Sequence, residues 1–253
     1  MSALVGDQTL IVGALVFARI GPALAVVPAL GGRLVPGPAK VAASLAIAAL
    51  IAPLIAAGTG AAATAAGPVG IFAIALREAL IGFALGLIAS VGLLAAEAAG
   101  RLADTALWPS SREDGPLARL YLLLAAALFF AVSGHRTVLR ALAGSYEALP
   151  LGAGLASTAG FVDATVRATG GLIAAAIGLA APVIVALLLA DLATGAIGRF
   201  VPRANAALLA LPARALLAIV AALGTALVLG PGLGRAAASG AQAIAAALRA
   251  LAR

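Results

Sequence analysis

The chain has 253 residues, of which 64% are hydrophobic and 10% charged, against about 25% charged in an ordinary soluble domain. That composition excludes a soluble globular protein and fits a bilayer, where lipid is itself the apolar solvent. The net charge of +7 does not point to nucleic acid, because Lys40 is the only lysine and the arginines stand singly among apolar stretches; anionic lipid and a positive-inside bias account for it.

In chain order, the first hydrophobic segment runs from about Gln8 to Pro28 and is interrupted by Arg19. The N-terminus, MSALVGDQTL, carries Asp7 and no basic region. A cleaved signal peptide is therefore not expected, and the first segment is expected to stay in the mature protein. The glycines and prolines of GGRLVPGPAK (31–40) break the helix. A second segment spans about Val41 to Ala57, and GTGAAATAAGP (58–68) reads as a linker.

The third segment runs from Val69 to Gly100. Unbroken, it would be about 48 Å long, more than the roughly 30 Å hydrocarbon core, so it must tilt, kink or leave the bilayer. The most polar stretch follows at 101–119. A short fourth segment (about Leu117 to Ser133) and a helical piece from His135 to Leu149 come next, and LPLGAG (149–154) breaks the chain. After the mildly polar FVDATVRATGG (161–171), a fifth segment covers about Leu172 to Ile197 with Pro182 and Asp191 inside it. The break GRFVPRAN (198–205) leads to a sixth, Asn205 to Leu229, and the Ala-rich tail from Gly234 reads as an interfacial helix. The expected fold class is all-α, a polytopic membrane protein with about six hydrophobic helical segments in one domain over 1–253. Barrel strands are excluded by the length of the apolar runs and their lack of alternation. With six spans, seven basic residues fall on one side and six on the other, so the charge rule does not choose a topology.

The informative residues are the charges inside apolar segments: Arg19, Arg77, Glu78 and Asp191. Each would cost about 2.5–3.5 kcal/mol at the centre of an isolated span, so they should face protein or water. Arg77 and Glu78 are adjacent and point about 100° apart on a helix; their partners belong on other helices, with Arg19–Glu78 one candidate pair. Buried packing pairs and a snorkelling Arg19 are the structural alternatives to a transport role. Glu97 and Arg101 have i,i+4 spacing for a local salt bridge, and Gly82 and Gly86 form a GxxxG that permits close backbone approach. His135, the only histidine, reads as a structural hydrogen-bonding group. With no cysteine, neither disulfide nor thiolate metal site is possible. No catalytic triad, phosphate loop or dinucleotide fingerprint is present; no enzyme activity and no cofactor are expected.

Four stretches resemble the FliR family of flagellar export proteins and its injectisome relatives, SctT. They are FARIGPALAVVPALGGRLVPGPAKVAASLAIAALIAP (17–53), LREALIGFALGLIASVGLLAAEAAGRLAD (76–104), GHRTVLRALAGSYEALPLG (134–152) and APVIVALLLADLATGAIGRFVPRAN (181–205). They stand in the family's order and cover most of 17–214. Tyr146 stands where injectisome members often have Tyr, whereas Leu149–Gly152 looks more flagellar, so both branches stay open. The resemblance implies helical hairpins in a slanted assembly, with one copy of this chain held by FliP/SctR-like, FliQ/SctS-like and FlhB/SctU-like membrane subunits in the bacterial inner membrane. It also implies passive conduction of unfolded flagellar or effector proteins.

On that reading Arg19, Arg77, Glu78, Asp191 and Arg199 are candidate buried or intersubunit polar residues. Leu107, Trp108, Pro109, Ser110, Ser111 and Arg112 belong to a candidate plug loop, where TALWPSSREDG (105–115) is shorter and more charged than the family's usual run. Gly82, Gly86, Gly100, Pro150 and Pro202 are candidate close-packing or break residues. The main competing reading is a secondary transporter for a small solute, which predicts paired broken helices in two matching halves; no convincing inverted repeat is seen. A purely structural scaffold is the other.

Overall fold

The computed structural model describes residues 2–30, 35–64, 67–107, 115–152 and 159–200, with a few isolated positions between 212 and 224. Every element in these stretches is an α-helix: α1 (Ser2–Val26), α2 (Gly37–Thr64), α3 (Gly67–Leu107), α4 (Pro116–Ala131), α5 (Gly134–Ala148) and α6 (Ala159–Phe200). Four of them are long and apolar enough to cross a membrane, or up to five spans if α4 and α5 are counted as one broken span. The expected sixth segment and the tail lie almost wholly outside the described residues.

One expected linker is helical, and the fifth segment begins earlier than expected. The proposed linker at 58–68 continues α2 as far as Thr64, because alanine has the highest helix propensity and two isolated glycines cost only about 1 kcal/mol each against it. The polar stretch 161–171 is part of the 42-residue α6, braced on its exposed side by Asp163 and Arg167, 2.8 Å apart at i,i+4 spacing. Nor does the third segment end at Gly100: α3 runs on to Leu107, 41 residues in all, or about 60 Å of helix. Pro22, Pro53 and Pro182 sit inside α1, α2 and α6 without ending them, as membrane helices tolerate. The break between α4 and α5 falls where expected. Its pivot, Ser133, has φ 58°, a left-handed conformation in which the α4 hydrogen-bond ladder cannot continue.

The described elements form two compact units. The first holds α1, α2, α3 up to Val91, α5 and the start of α6. There α1 packs on α2, and its core includes Val12, Leu15, Val16, Ile20 and Ala23 of α1 with Ile81 and Leu85 of α3. The second unit holds α3 from Gly92, α4 and α6 from Gly171. Its core draws on Leu93, Ala96, Ala99 and Ala103 of α3 and on Leu117, Tyr121, Ala125 and Phe129 of α4.

On α6 a narrow stripe is buried: Ala176, Ala180, Val183, Leu187 and Ala190, spaced alternately four and three apart as on one helix face. Around it, Ile173, Ile177, Val185, Leu188, Leu189 and Leu192 are exposed. The outer face of α2 likewise carries exposed apolar side chains, Leu50 and Leu54, and Val41 and Leu45 are exposed about half a turn round the helix from them. Apolar surface on this scale marks contact with lipid or with other proteins.

A buried ionic cluster as the candidate functional site

Arg19 lies in the C-terminal half of α1 with no solvent exposure, and Glu78 of α3 is equally buried. The Arg19 guanidinium donates from Nε to Glu78 Oε2 at 2.6 Å, and its Nη2 lies 2.5 Å from the same oxygen. Each of its other two nitrogens also has a partner: Nη1 donates to Ser145 Oγ at 3.1 Å, and Nη2 to the carbonyl of Leu149 at 3.0 Å. The guanidinium also lies over the Tyr146 ring, 4.2 Å from its centroid, where the negative face of the ring stabilises a cation. Three helices thus converge on one side chain. A buried charge is tolerated when it is paired and hydrogen-bonded, and Arg19 has an ion-pair partner and an acceptor for each nitrogen without reaching water.

The second carboxylate oxygen is taken by Arg77, whose Nη2 is 2.6 Å from Glu78 Oε1. This bond links neighbours in sequence through long side chains that turn back on one another. Arg77 retains some exposure while Glu78 has none. Glu78 thus accepts from a guanidinium on each of its two oxygens. Ser145 passes the network on by donating to Leu142 O at 2.6 Å, and the Tyr146 hydroxyl donates across to Val16 O at 3.2 Å.

The backbone geometry that permits this comes from Gly82 and Gly86. A methyl group at Gly82 would run into the main-chain carbonyl of Arg19, and one at Gly86 into that of Ala23. The two contacts advance together along both chains, so α1 and α3 run in the same direction where they cross. The GxxxG thus sets the depth at which Arg19 meets Glu78, one turn away on the same face of α3.

A second polar device lies in the other unit. The Asp104 carboxylate of α3 accepts from the backbone N–H of Leu117 at 3.1 Å and of Ala118 at 2.7 Å, satisfying donors in the first turn of α4 that have no helical partner. The residue at the helix entry, Gly115, makes no side-chain cap. It lies so close to Asp104 that a side chain there would meet the carboxylate, and a Cβ at Gly100 would meet Ala118 Cα at 2.5 Å. Gly100 is therefore a close-packing residue inside α3, not a break. Asp104 thus clips the end of α3 to the first turn of α4.

The other expected site residues lie apart from the ionic cluster. Asp191 and Arg199 are exposed on α6. Leu107 is buried at the end of α3, whereas Trp108, Pro109, Ser110, Ser111, Arg112 and Pro202 fall outside the described residues. Pro150 follows α5 directly, next to the Leu149 carbonyl that Arg19 binds. Glu97 and Arg101 form their i,i+4 bridge at 2.7 Å. Among the described residues no group of three His, Cys, Asp or Glu could hold a metal ion.

The model of a protein family described as bacterial export proteins, family 1, matches residues 10–238. The chain is also 29% identical over 202 residues to the flagellar biosynthetic protein FliR of Caulobacter vibrioides, covering 76% of this chain and 78% of that one. The family match, over 10–238, includes all the residues of the ionic cluster and of the Asp104 clip. On these grounds the chain belongs to the bacterial export proteins, family 1, and is a polytopic helical membrane protein of that family.

Proposed function

We propose that this chain is a structural and channel-forming subunit of a type III protein-export gate, helping to conduct unfolded flagellar or effector proteins across the bacterial inner membrane. The observation that carries the reading is the family match across 10–238. Residues 1–253 act as one export-gate domain, its helices paired as hairpins in a slanted assembly. The chain is present as one copy with FliP/SctR-like, FliQ/SctS-like and FlhB/SctU-like subunits, in a flagellar basal body or injectisome base. The exposed apolar faces of α2 and α6 suit such neighbours as well as lipid.

In this reading Arg19, Glu78 and Arg77 hold α1, α3 and α5 in one rigid unit. Asp191 and Arg199, exposed on α6, meet polar groups of neighbouring subunits. The segment from Leu107 to Arg112 closes the resting channel, with Asp104 clipping α3 to α4 on either side of it.

Native mass spectrometry of the tagged chain, expressed with the neighbouring membrane-protein genes, tests the proposal. One copy retained with several copies of smaller membrane partners is the expected result. A stable monomer or homodimer that transports a small solute alone would replace it with a permease.

A further inference from the structure

The first unit carries a groove that the export reading does not use. It is a half-open space of about 280 Å³ between three helices, lined by Ile20 of α1, by Ile47, Leu50 and Ile51 of α2, and by Leu142 and Arg140 of α5. Among the described residues of its lining, Arg140 is the only charged one. The groove opens beside the apolar outer face of α2, where Leu50 is 74% exposed.

The helix that supplies the arginine is amphipathic. On α5, Val138, Leu142, Ser145 and Tyr146 are buried, while Arg136, Arg140, Ala143 and Glu147 are exposed, at spacings that fall on one face. With 15 residues it does not by itself pass as a membrane span. Its apolar face packs inside the unit, so the basic face is the one left to meet anionic groups outside the protein. Arg136 precedes Arg140 by one turn, and neither makes an ion pair among the described residues. Glu147 is two turns further on, about 10 Å along the axis, too far to neutralise Arg140 in salt.

We infer that this groove holds one anionic phospholipid, an acyl chain lying along Ile20, Ile47 and Ile51 and the headgroup phosphate bound by Arg140 and Arg136. Size and charge both select that occupant. A partner helix is about 10–12 Å across with its side chains, too wide for a half-open space of this volume, whereas a single acyl chain is flexible and narrow. An apolar slot with one cation at its lining matches an amphiphile with one anionic end. A basic pocket between membrane helices recognises an anionic headgroup in this way.

The inference does not depend on the export role, and its test reads lipid, not subunit stoichiometry. The full chain in detergent is exposed to equimolar phosphatidylglycerol and phosphatidylethanolamine, and retained lipid is counted by native mass spectrometry. Preferential retention of one phosphatidylglycerol is expected. Arg140→Gln should lower it about fivefold, in line with the worth of one surface arginine against anionic lipid, and adding Arg136→Gln should lower it further. Arg167→Gln, an exposed arginine on α6 away from the groove lining, should leave retention unchanged. Equal retention of the two lipids, or retention untouched by R136Q/R140Q, would overturn the site. So would loss of a co-purified membrane subunit, instead of lipid, in R140Q, which would assign the arginines to a protein partner.

Discussion

Gly82 lies against the main chain of Arg19, one helical turn after the Glu78 that holds the same residue's side chain. A single face of α3 therefore supplies both the space for Arg19's backbone and the charge for its guanidinium. Enlarging Gly82 must push α1 away from α3 and stretch the ion pair. Gly82→Ala is expected to destabilise by about 1–3 kcal/mol, the usual cost of overpacking, and Gly86→Ala, against Ala23, similarly. Gly144 is the internal control. It sits in α5 with nothing near the position of a Cβ, so Gly144→Ala should stabilise by about 0.5–1 kcal/mol through helix propensity. Unfolding in mixed micelles separates the two signs. Equal effects at Gly82 and Gly144 would mean that α1 and α3 are not in backbone contact.

The ion pair itself should behave as a buried one. Glu78→Gln leaves two guanidiniums without their carboxylate, and about 3–5 kcal/mol of stability should be lost. Replacing both partners, Arg19→Met with Glu78→Met, removes the charges along with the need to pair them and should recover much of that loss. Arg77, already partly exposed, can then turn outward. A double-mutant cycle on unfolding free energies measures the coupling. Additive losses would show that the pair is not formed in the membrane.

Part of this site was legible in the sequence. A charge inside an apolar segment must find a partner, and that alone picked out Arg19, Arg77 and Glu78 and named Arg19–Glu78 as a pair. The GxxxG spacing marked the contact face of α3. Ser145, the Leu149 carbonyl and Tyr146 were not foreseen as partners of Arg19, since they lie about 130 residues away and neutral groups leave no mark in a charge pattern. Asp104 was missed because helix-cap rules look within a turn of the helix start, and this carboxylate reaches α4 from 13 and 14 residues upstream. The continuation of α2 past Gly58 was misread because Gly is scored as a breaker, whereas isolated glycines in an alanine-rich run cost too little to end a helix.

Asp104 should matter more to the 108–114 segment than to the rest of the fold. Asp104→Ala removes the acceptor of two backbone donors and is expected to cost about 1–2 kcal/mol, the scale of a lost helix cap. Asp104→Asn keeps one acceptor oxygen and should cost less. Limited proteolysis in the assembled complex reads the local effect: cleavage between residues 108 and 114 should rise in the alanine variant, while cleavage elsewhere stays level. If this segment plugs the resting channel, the same variant should also leak in a permeability assay. A rise in cleavage without leak would keep the clip and remove the plug.

Tyr146 separates the two ways in which an aromatic side chain supports a buried arginine. Its hydroxyl donates to Val16 O, a bond between α5 and α1, while its ring lies under the Arg19 guanidinium. Tyr146→Phe loses only the hydroxyl bond and should cost about 1 kcal/mol. Tyr146→Leu also loses the ring's attraction for the cation, which is worth about 2 kcal/mol or more where water is excluded, and should be correspondingly worse. The ring contribution depends on the charge beneath it. In an Arg19→Met/Glu78→Met background the gap between Phe and Leu should therefore shrink towards their difference in packing alone. An unchanged gap in that background would show that Tyr146 acts by filling space, and that Arg19 is held by Glu78, Ser145 and the Leu149 carbonyl without help from the ring.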